Sequence, residues 1–215
     1  MSTRFAAAIA LMCAGAGLLA ACSGGTVGGT PSPATSNAPS STSSAESSSA
    51  SLANAPKVPM PLPATVLDGS PCNSALTMEQ VVTFIGTPKA PQSDDTIPTG
   101  PACTWSNASG AGGQIGVNYE TKIGGGWSAA YRNLKGNSDR WEPTTLQGYP
   151  AVAATNRGED QSITGRCDVT VGIRDDLSFA VSLTLSNNAR TRGVDSCEGA
   201  KDIADSVLTN LKGRA

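Results

Sequence analysis

The clearest pattern along the chain is an alternation of apolar and polar residues in two neighbouring stretches. Apolar side chains occupy every second position there, in the order Cys167, Val169, Val171, Ile173 and then Phe179, Val181, Leu183, Leu185. Successive side chains of a strand point to opposite faces of a sheet, so this period indicates strands with one buried face. Asp175 and Asp176 separate the two stretches, as turn residues do. The pattern predicts an antiparallel hairpin.

Four shorter stretches also have the composition of strands. They cover residues 102–106, 114–120, 143–146 and 151–155. The glycine-rich residues 107–113 connect the first two, and residues 147–150 connect the last two, whereas residues 87–101 have the composition of a loop. Because the connections are mostly short, we expect these strands to pair in an antiparallel sheet.

Three helices are predicted from a spacing of three and four residues. The first, Met78–Ile85, follows Thr77, with Gln80 at the spacing of a capping box. Residues 127–134 and 196–211 each carry an apolar stripe along one side. The element order α-β-β-α-β-β-β-β-α predicts an α+β domain in which about three helices pack on an antiparallel sheet.

The N-terminal segment has a different pattern, which is typical of a secretory signal. Arg4 is followed by an apolar run up to residue 18, shorter than the roughly 20 residues that a helix needs to cross a bilayer. The following residues, Leu19-Ala20-Ala21-Cys22, resemble a lipobox, the site where bacteria attach diacylglycerol to a cysteine and cleave before it. We expect residues 1–21 to be a signal peptide and Cys22 to anchor the chain to the outer face of a membrane.

A tether is predicted between Cys22 and residue 64. Residues 23–56 consist almost entirely of Ser, Thr, Gly, Ala, Pro and Asn, and residues 57–63 are rich in proline. Such a composition buries too little apolar surface to offset the entropy of ordering. As a flexible coil, residues 23–56 would span roughly 30–35 Å. The globular domain is expected to occupy residues 65–215.

The cysteines predict two disulfides. Six occur in the sequence, at positions 13, 22, 72, 103, 167 and 197. Cys13 lies in the signal and Cys22 carries the lipid, which leaves four in an oxidising compartment. Four cysteines allow three connectivities. A preference for cysteines that are near each other in the sequence favours Cys72–Cys103 and Cys167–Cys197. The strand face that carries Cys167 should also point at the helix that carries Cys197.

The charge excludes some partners. The chain has 15 basic and 17 acidic side chains, and removal of Arg4 with the signal leaves a net charge of −3. Without a basic surplus to neutralise phosphates, we expect no binding of nucleic acid. No polybasic cluster is present to bind anionic lipid, so the covalent lipid is expected to carry the membrane attachment.

The sequence also lacks the residues that common catalytic and metal sites require. It contains no histidine, which excludes a Ser-His-Asp triad and a Cys-His pair. Without histidine or a Cys-x-x-Cys pair, we expect no zinc site and no other metal or cofactor. Pairs of adjacent acidic residues occur at 94–95, 159–160 and 175–176. We expect these pairs to lie in solvated turns. A Ser-Lys dyad is formally open, but no Ser-x-x-Lys motif stands in the domain, so no catalytic residue is assigned.

Four residues are candidates for a ligand groove. Trp141 lies between two charged residues and Tyr149 lies in a predicted turn, so both are expected to be exposed. Arg190 and Arg192 flank a loop before the last helix and could meet an anionic partner. The alternative is packing for the aromatic residues and a solvated loop for the arginines.

Several short motifs together resemble one known family. They are the lipobox at Cys22, the tether, Pro71-Cys72 before Leu76-Thr77-x-Glu79, Cys103-Thr104-Trp105, Leu146-Gln147-Gly148-Tyr149-Pro150-Ala151, Cys167-x-Val169 and a final helix with Cys197. The pattern resembles the actinobacterial lipoproteins grouped as domain of unknown function 3558, although Ser70 stands where an acidic residue is expected. The resemblance implies a lipoprotein of the cell envelope and supplies no established reaction and no catalytic residues.

Two functions fit these observations. One is a membrane-tethered binding or sensing module that acts outside the cell on a protein, a peptide, or a cell-wall or lipid component. The alternative is a passive structural or envelope-maintenance lipoprotein without a small ligand, and a hydrolase that works without histidine remains a third possibility.

The lipobox leads to a direct test of membrane attachment. Cys22→Ala removes the acceptor thiol, so we expect the chain to leave the membrane fraction or to fail to mature, whereas Cys13→Ala should remain membrane-bound. Fractionation and intact mass of the mature protein measure this. A mature wild-type chain with a free N-terminus and no acyl mass would contradict the prediction.

Overall fold

The computed structural model describes residues 55–159 and 165–215. The predicted signal peptide, Cys22 and the tether up to residue 54 lie outside the described residues, so lipidation stays a prediction. None of the described helices has both the length and the apolar character that a membrane span requires.

Seven strands form one antiparallel sheet. They are β1 (Gln92–Asp94), β2 (Ala102–Ser106), β3 (Gln114–Glu120), β4 (Ser138–Leu146), β5 (Tyr149–Asn156), β6 (Arg166–Arg174) and β7 (Leu177–Thr184). Their order in the sheet is β1-β2-β3-β7-β6-β5-β4. Short connections build two meanders, which meet where β3 pairs with β7. The predicted hairpin is β6–β7, and the predicted α+β class is confirmed.

Helices cover both faces of this sheet. They are α1 (Met78–Ile85), α2 (Gly126–Asn137), α3 (Asn187–Thr191) and α4 (Ser196–Lys212). Two 3₁₀ turns, Ala64–Leu67 and Pro71–Asn73, precede α1. The three longer helices are those predicted, and the capping box of α1 is formed. Two short elements, β1 and α3, were not predicted.

The sheet face beneath α4 carries the main core. The predicted stripe of α4 is buried, comprising Cys197, Ala200, Ile203, Ala204, Val207, Leu208 and Leu211. Both predicted disulfides are confirmed, Cys72–Cys103 and Cys167–Cys197, with sequence separations of 31 and 30 residues. In the chain-entropy model each such bridge stabilises the fold by about 3–4 kcal/mol. The second bridge joins β6 directly to the first turn of α4.

Helix α2 packs on the opposite sheet face. Its Trp127 lies on Gly172 of β6, where a Cβ atom would come within 2.6–2.8 Å of the indole ring. Residues 167 and 172 are an odd number of positions apart in β6, so Trp127 and the disulfide of Cys167 lie on opposite faces. Trp127, Tyr131 and Trp141 form an edge-to-face series with centroid distances of 5.4 and 5.3 Å.

Residues 55–63, here called the lead-in segment, pack against the domain. Val58 and Leu62 are buried in the core. The indole N–H of Trp127 donates to the carbonyl of Pro56 at 3.0 Å, and the amide of Val58 donates to Asp175 at 3.1 Å. The packed unit therefore includes residues that precede position 65, where the sequence analysis places the domain boundary. The chain joins the domain beside the β6–β7 turn.

The β4–β5 turn is fixed to α4 by one side chain. Gln147 and Gly148 both have positive φ angles, 49° and 86°, as a tight two-residue hairpin requires. The Gln147 amide donates to the carbonyl of Asp205 at 3.0 Å and to Thr209 Oγ1 at 2.7 Å. Its carbonyl oxygen accepts from Lys212 at 3.1 Å. The turn is thus attached to the last two turns of α4.

This attachment can be measured with Gln147→Ala. Alanine meets the same left-handed backbone as glutamine, so the change removes three hydrogen bonds at constant backbone strain. We expect a loss of about 1–2 kcal/mol in the free energy of unfolding, measured by urea denaturation. Gln114→Ala is the matched control, because Gln114 makes one exposed side-chain bond, to Ser106. Equal losses in the two variants would contradict the role of Gln147.

Candidate ligand site

The two aromatic residues predicted to line a groove lie on opposite faces of the sheet. Tyr149 is only 3 % exposed, because the turn consists of Gln147 and Gly148 alone and Tyr149 already belongs to β5. Trp141 is half-buried beside Tyr131, with Lys135 Nζ 5.2 Å from its ring centroid. The expectation that both are exposed is wrong for Tyr149. Strand β4 begins at Ser138, earlier than predicted, and its alternation directs Trp141 towards α2.

The two arginines lie apart from these aromatic residues. Arg190 belongs to α3 and is half-buried, whereas Arg192 directly follows the helix and is exposed. Arg190 lines a depression that also contains Arg140 and Asp195. The four predicted residues therefore do not form one site, and only Arg192 reaches a larger apolar cavity.

That cavity, here called the apolar cleft, has a volume of about 560 Å³. It lies between the end of α1, the β2–β3 hairpin, the end of β7, α3 and the start of α4. It is lined by Phe84, Ile85, Asn107, Ser109, Ala111, Gly112, Gly113, Leu183, Thr184, Leu185, Ser186, Ala189, Arg192, Val194, Gly199 and Ile203. A cavity of this size with mainly apolar walls is typical of ligand sites.

Glycines shape the cleft by letting its walls approach each other. A Cβ atom at Gly199 of α4 would lie 2.7 Å from Leu183 Cδ2, so a side chain there would displace the Leu183 side chain that lines the cleft. A Cβ atom at Gly113 would lie 3.0 Å from Ile85 Cγ2, where the hairpin meets α1. The sequence analysis identified residues 107–113 as a hairpin connection but not as a wall of a cavity.

The cleft has a simple electrostatic character. Among the described residues, Arg192 is the only charged one that lines the cleft, and it directly follows α3. Its Nη1 donates to Asn188 Oδ1 at 2.9 Å, and in the described part of the chain it has no carboxylate partner within 4.0 Å. Val194, beside it, is 47 % exposed. The cleft therefore combines apolar walls with one positive group.

Two other cavities are more polar. One, of about 600 Å³, lies between the start of α1 and the end of α4 and includes Asp68 and Arg214. The other, of about 390 Å³, lies on the same sheet face as α2, in the part that α2 does not cover, and is here called the polar trough. Its charged lining residues are Glu120, Arg166 and Asp168. In the described ranges, no group of three His, Cys, Asp or Glu residues is placed to hold a metal ion.

Burial perturbs both carboxylates of the polar trough. It raises the pKa of Glu120 above 4.5, although a hydrogen bond from Ser178 Oγ at 2.5 Å acts in the opposite direction. Burial also raises the pKa of Asp168, despite the Arg166 guanidinium 3.0 Å away. Ionisation of Glu120 therefore places a charge on a partly desolvated sheet face, with the Ser178 hydroxyl as its partner.

The sequence contains a signal for this trough. Neighbouring strands have small or polar residues on the second face, among them Gln114, Gly116, Asn118, Glu120, Asp168, Thr170, Ala180 and Ser182. By itself, this alternation predicts that the other face of the strands is buried. The lack of bulky side chains in adjacent strands indicates a concave surface, but the strand order is needed to recognise it.

These features define a disulfide-bonded α+β domain with one apolar surface cleft. The sequence profile of the family described as protein of unknown function (DUF3558) matches residues 17–210, and the chain belongs to this family. The family assignment made from the short motifs is thereby confirmed. No curated protein and no solved structure matches the chain significantly.

The charge of Glu120 gives a pH-dependent prediction. A carboxyl whose pKa is raised on folding lowers stability as the pH rises from its unfolded value through its folded value. Glu120→Gln keeps an acceptor for Ser178 and removes the charge, so we expect a higher Tm than wild type at pH 7. The difference should shrink as the pH falls and disappear below about 4.5.

Asp175→Asn provides a control of opposite sign. The backbone N–H of Val58 and the ammonium of Lys57 lower the pKa of Asp175 below 3.8, so its ionised form stabilises the fold. We expect this variant to have a lower Tm at pH 7, with the difference vanishing as the pH falls through that lowered pKa. Melting curves by circular dichroism from pH 3 to 8 measure both variants, and an unchanged or lower Tm of Glu120→Gln at pH 7 would contradict the prediction.

Proposed function

We propose that this chain is a lipid-anchored, non-catalytic binding module on the outer face of a cell membrane, and that the apolar cleft is its ligand site. The lipobox at Cys22 and the signal sequence support the location, and the two disulfides suit an oxidising compartment. The observation that carries the proposal is the cleft itself, with its apolar walls and single positive group. A passive lipoprotein has no need of such a cavity.

The position of the cleft relative to the lead-in segment supports this function. The segment packs beside the β6–β7 turn, where Val58 bonds to Asp175. The cleft lies at the other end of β7, at Leu183 and Thr184. Strand β7 has eight residues and so spans roughly 26 Å. A tether that joins the domain at one end leaves the opposite end accessible to a ligand.

The residues of the cleft favour binding over catalysis. Ser109 and Ser186 are its serines, and none of the lining residues in the described ranges is a carboxylate, a lysine or a cysteine. The Ser186 hydroxyl accepts the amide N–H of Ala189 and caps α3. With no histidine in the sequence, these hydroxyls have no general base beside them. We therefore assign the cleft a role in recognition and assign no catalytic residue.

Site-specific crosslinking in the native envelope tests this proposal. A photoreactive amino acid at Ala111 or Val194 would contact any occupant of the cleft, because both residues line it and are exposed. Ala90 is the control, since it is exposed but does not line the cleft. We expect defined adducts by mass spectrometry from the two cleft positions in the full-length chain.

The crosslinking result separates the two functions. Adducts at Ala111 and Val194 that exceed those at Ala90 by at least tenfold are expected for a binding module. Yields equal to those at Ala90 from both cleft positions would contradict the proposal and favour the passive lipoprotein.

A further inference from the structure

We infer that the ligand of the apolar cleft is a single-chain amphiphile with an anionic head, an alkyl carboxylate or an alkyl phosphate. The inference rests on the proposed function, because it names the ligand class of the same cleft. In this arrangement the hydrocarbon tail lies against the apolar walls, and the head binds Arg192.

The walls provide an apolar surface for the tail. Ile85, Leu183 and Ile203 form buried parts of the lining, at 8 %, 5 % and 0 % exposure. Phe84 and Leu185 are half-buried and border the open side. A hydrocarbon chain in the cleft would leave water and cover the partly exposed Phe84 and Leu185, and each methylene that it buries adds to the affinity through the hydrophobic effect.

The polar groups of the lining other than Arg192 are largely occupied within the protein. The Asn107 amide donates to the carbonyl of Ile85, and its oxygen accepts from the amide and hydroxyl of Ser109. Ser186 caps α3. Arg192 gives one N–H to Asn188, whereas a guanidinium carries five donors. The strongest polar anchor in the cleft is therefore a cation that can bind an anion by more than one hydrogen bond.

The sheet beside the cleft argues against an extended peptide as the occupant. Peptides that lie along a sheet add to an unpaired strand edge. At the cleft, β7 is paired on both sides, since Thr184 faces Gln114 of β3 and Arg166 of β6. A hydrocarbon tail needs no backbone partners, so the absence of a strand edge along β7 does not oppose its binding.

A chain-length series tests the inference. The full chain with Cys22→Ala is titrated calorimetrically with alkyl carboxylates, alkyl phosphates and alkyl alcohols of six to twelve carbons, below their micelle concentrations. We expect the affinity for the anions to rise about threefold to fourfold per methylene until the tail fills the cleft. The carboxylate and phosphate arms distinguish the two possible heads.

Two pairs of variants locate the binding. Arg192→Gln should weaken the binding of the anions by about tenfold or more, because a charge-assisted hydrogen bond is lost. The affinity for the alcohols should not change. Arg132→Gln, an exposed position on α2, is its control and should have no effect. Ala111→Trp should abolish binding of all the amphiphiles, whereas Ala90→Trp should not. Circular dichroism checks that each variant folds.

The outcomes separate this inference from the proposed function. Equal affinity for anions and alcohols, with no effect of Arg192→Gln, would contradict the inference that the ligand has an anionic head. If no amphiphile binds, the inference that the ligand is an amphiphile is wrong. If adducts at Ala111 and Val194 still form in the envelope, the cleft remains a binding site for another ligand. Loss of both amphiphile binding and adducts overturns both proposals.

Discussion

The packing of α4 across β5, β6 and β7 is the constraint on which the rest of the structure depends. One side of α4 is apolar along its whole length, and one face of these strands is apolar at every second residue. Each surface is stable in water only when the other covers it. The Cys167–Cys197 bridge fixes the start of the helix, and Gln147 fixes its end. The cleft follows from this arrangement, because Gly199 brings the first turns of α4 close to Leu183.

The second face of the sheet is covered less completely than the first. Helix α2 covers only part of it, with Trp127 resting on Gly172, and the remaining part is lined by small and polar side chains. Ionisation of Glu120 and Asp168 costs solvation there, which is why burial raises the pKa of both. The face beneath α4 therefore supplies the main core, whereas the face beneath α2 also carries polar groups close to water.

The lead-in segment sets the place at which the chain enters the domain. Its hydrogen bonds to the β6–β7 turn and to Trp127 join the N-terminal residues to an end of the sheet. A chain attached only through an unpacked linker would have no preferred side. Packing of residues 55–63 therefore fixes the end of the domain at which the chain enters, and the apolar cleft lies at the opposite end of β7.

The sequence by itself determined the elements and the disulfides of this protein. A period of two or of 3.6 residues is a local property, so the hairpin β6–β7, the three longer helices and the stripe of α4 could all be read from it. Nearness in the sequence was also enough to predict the disulfides Cys72–Cys103 and Cys167–Cys197. Short segments such as β1 and α3 carry too few residues for a recognisable period.

Only the tertiary structure decided which distant residues share a surface. Trp141 and Tyr149 are close in the sequence but lie on opposite sheet faces, because the turn is tighter and β4 longer than the pattern indicates. The cleft joins α1, a hairpin, α3 and α4, and the order β1-β2-β3-β7-β6-β5-β4 brings these segments together. No local pattern encodes that order, since it results from how all the apolar faces are covered at once.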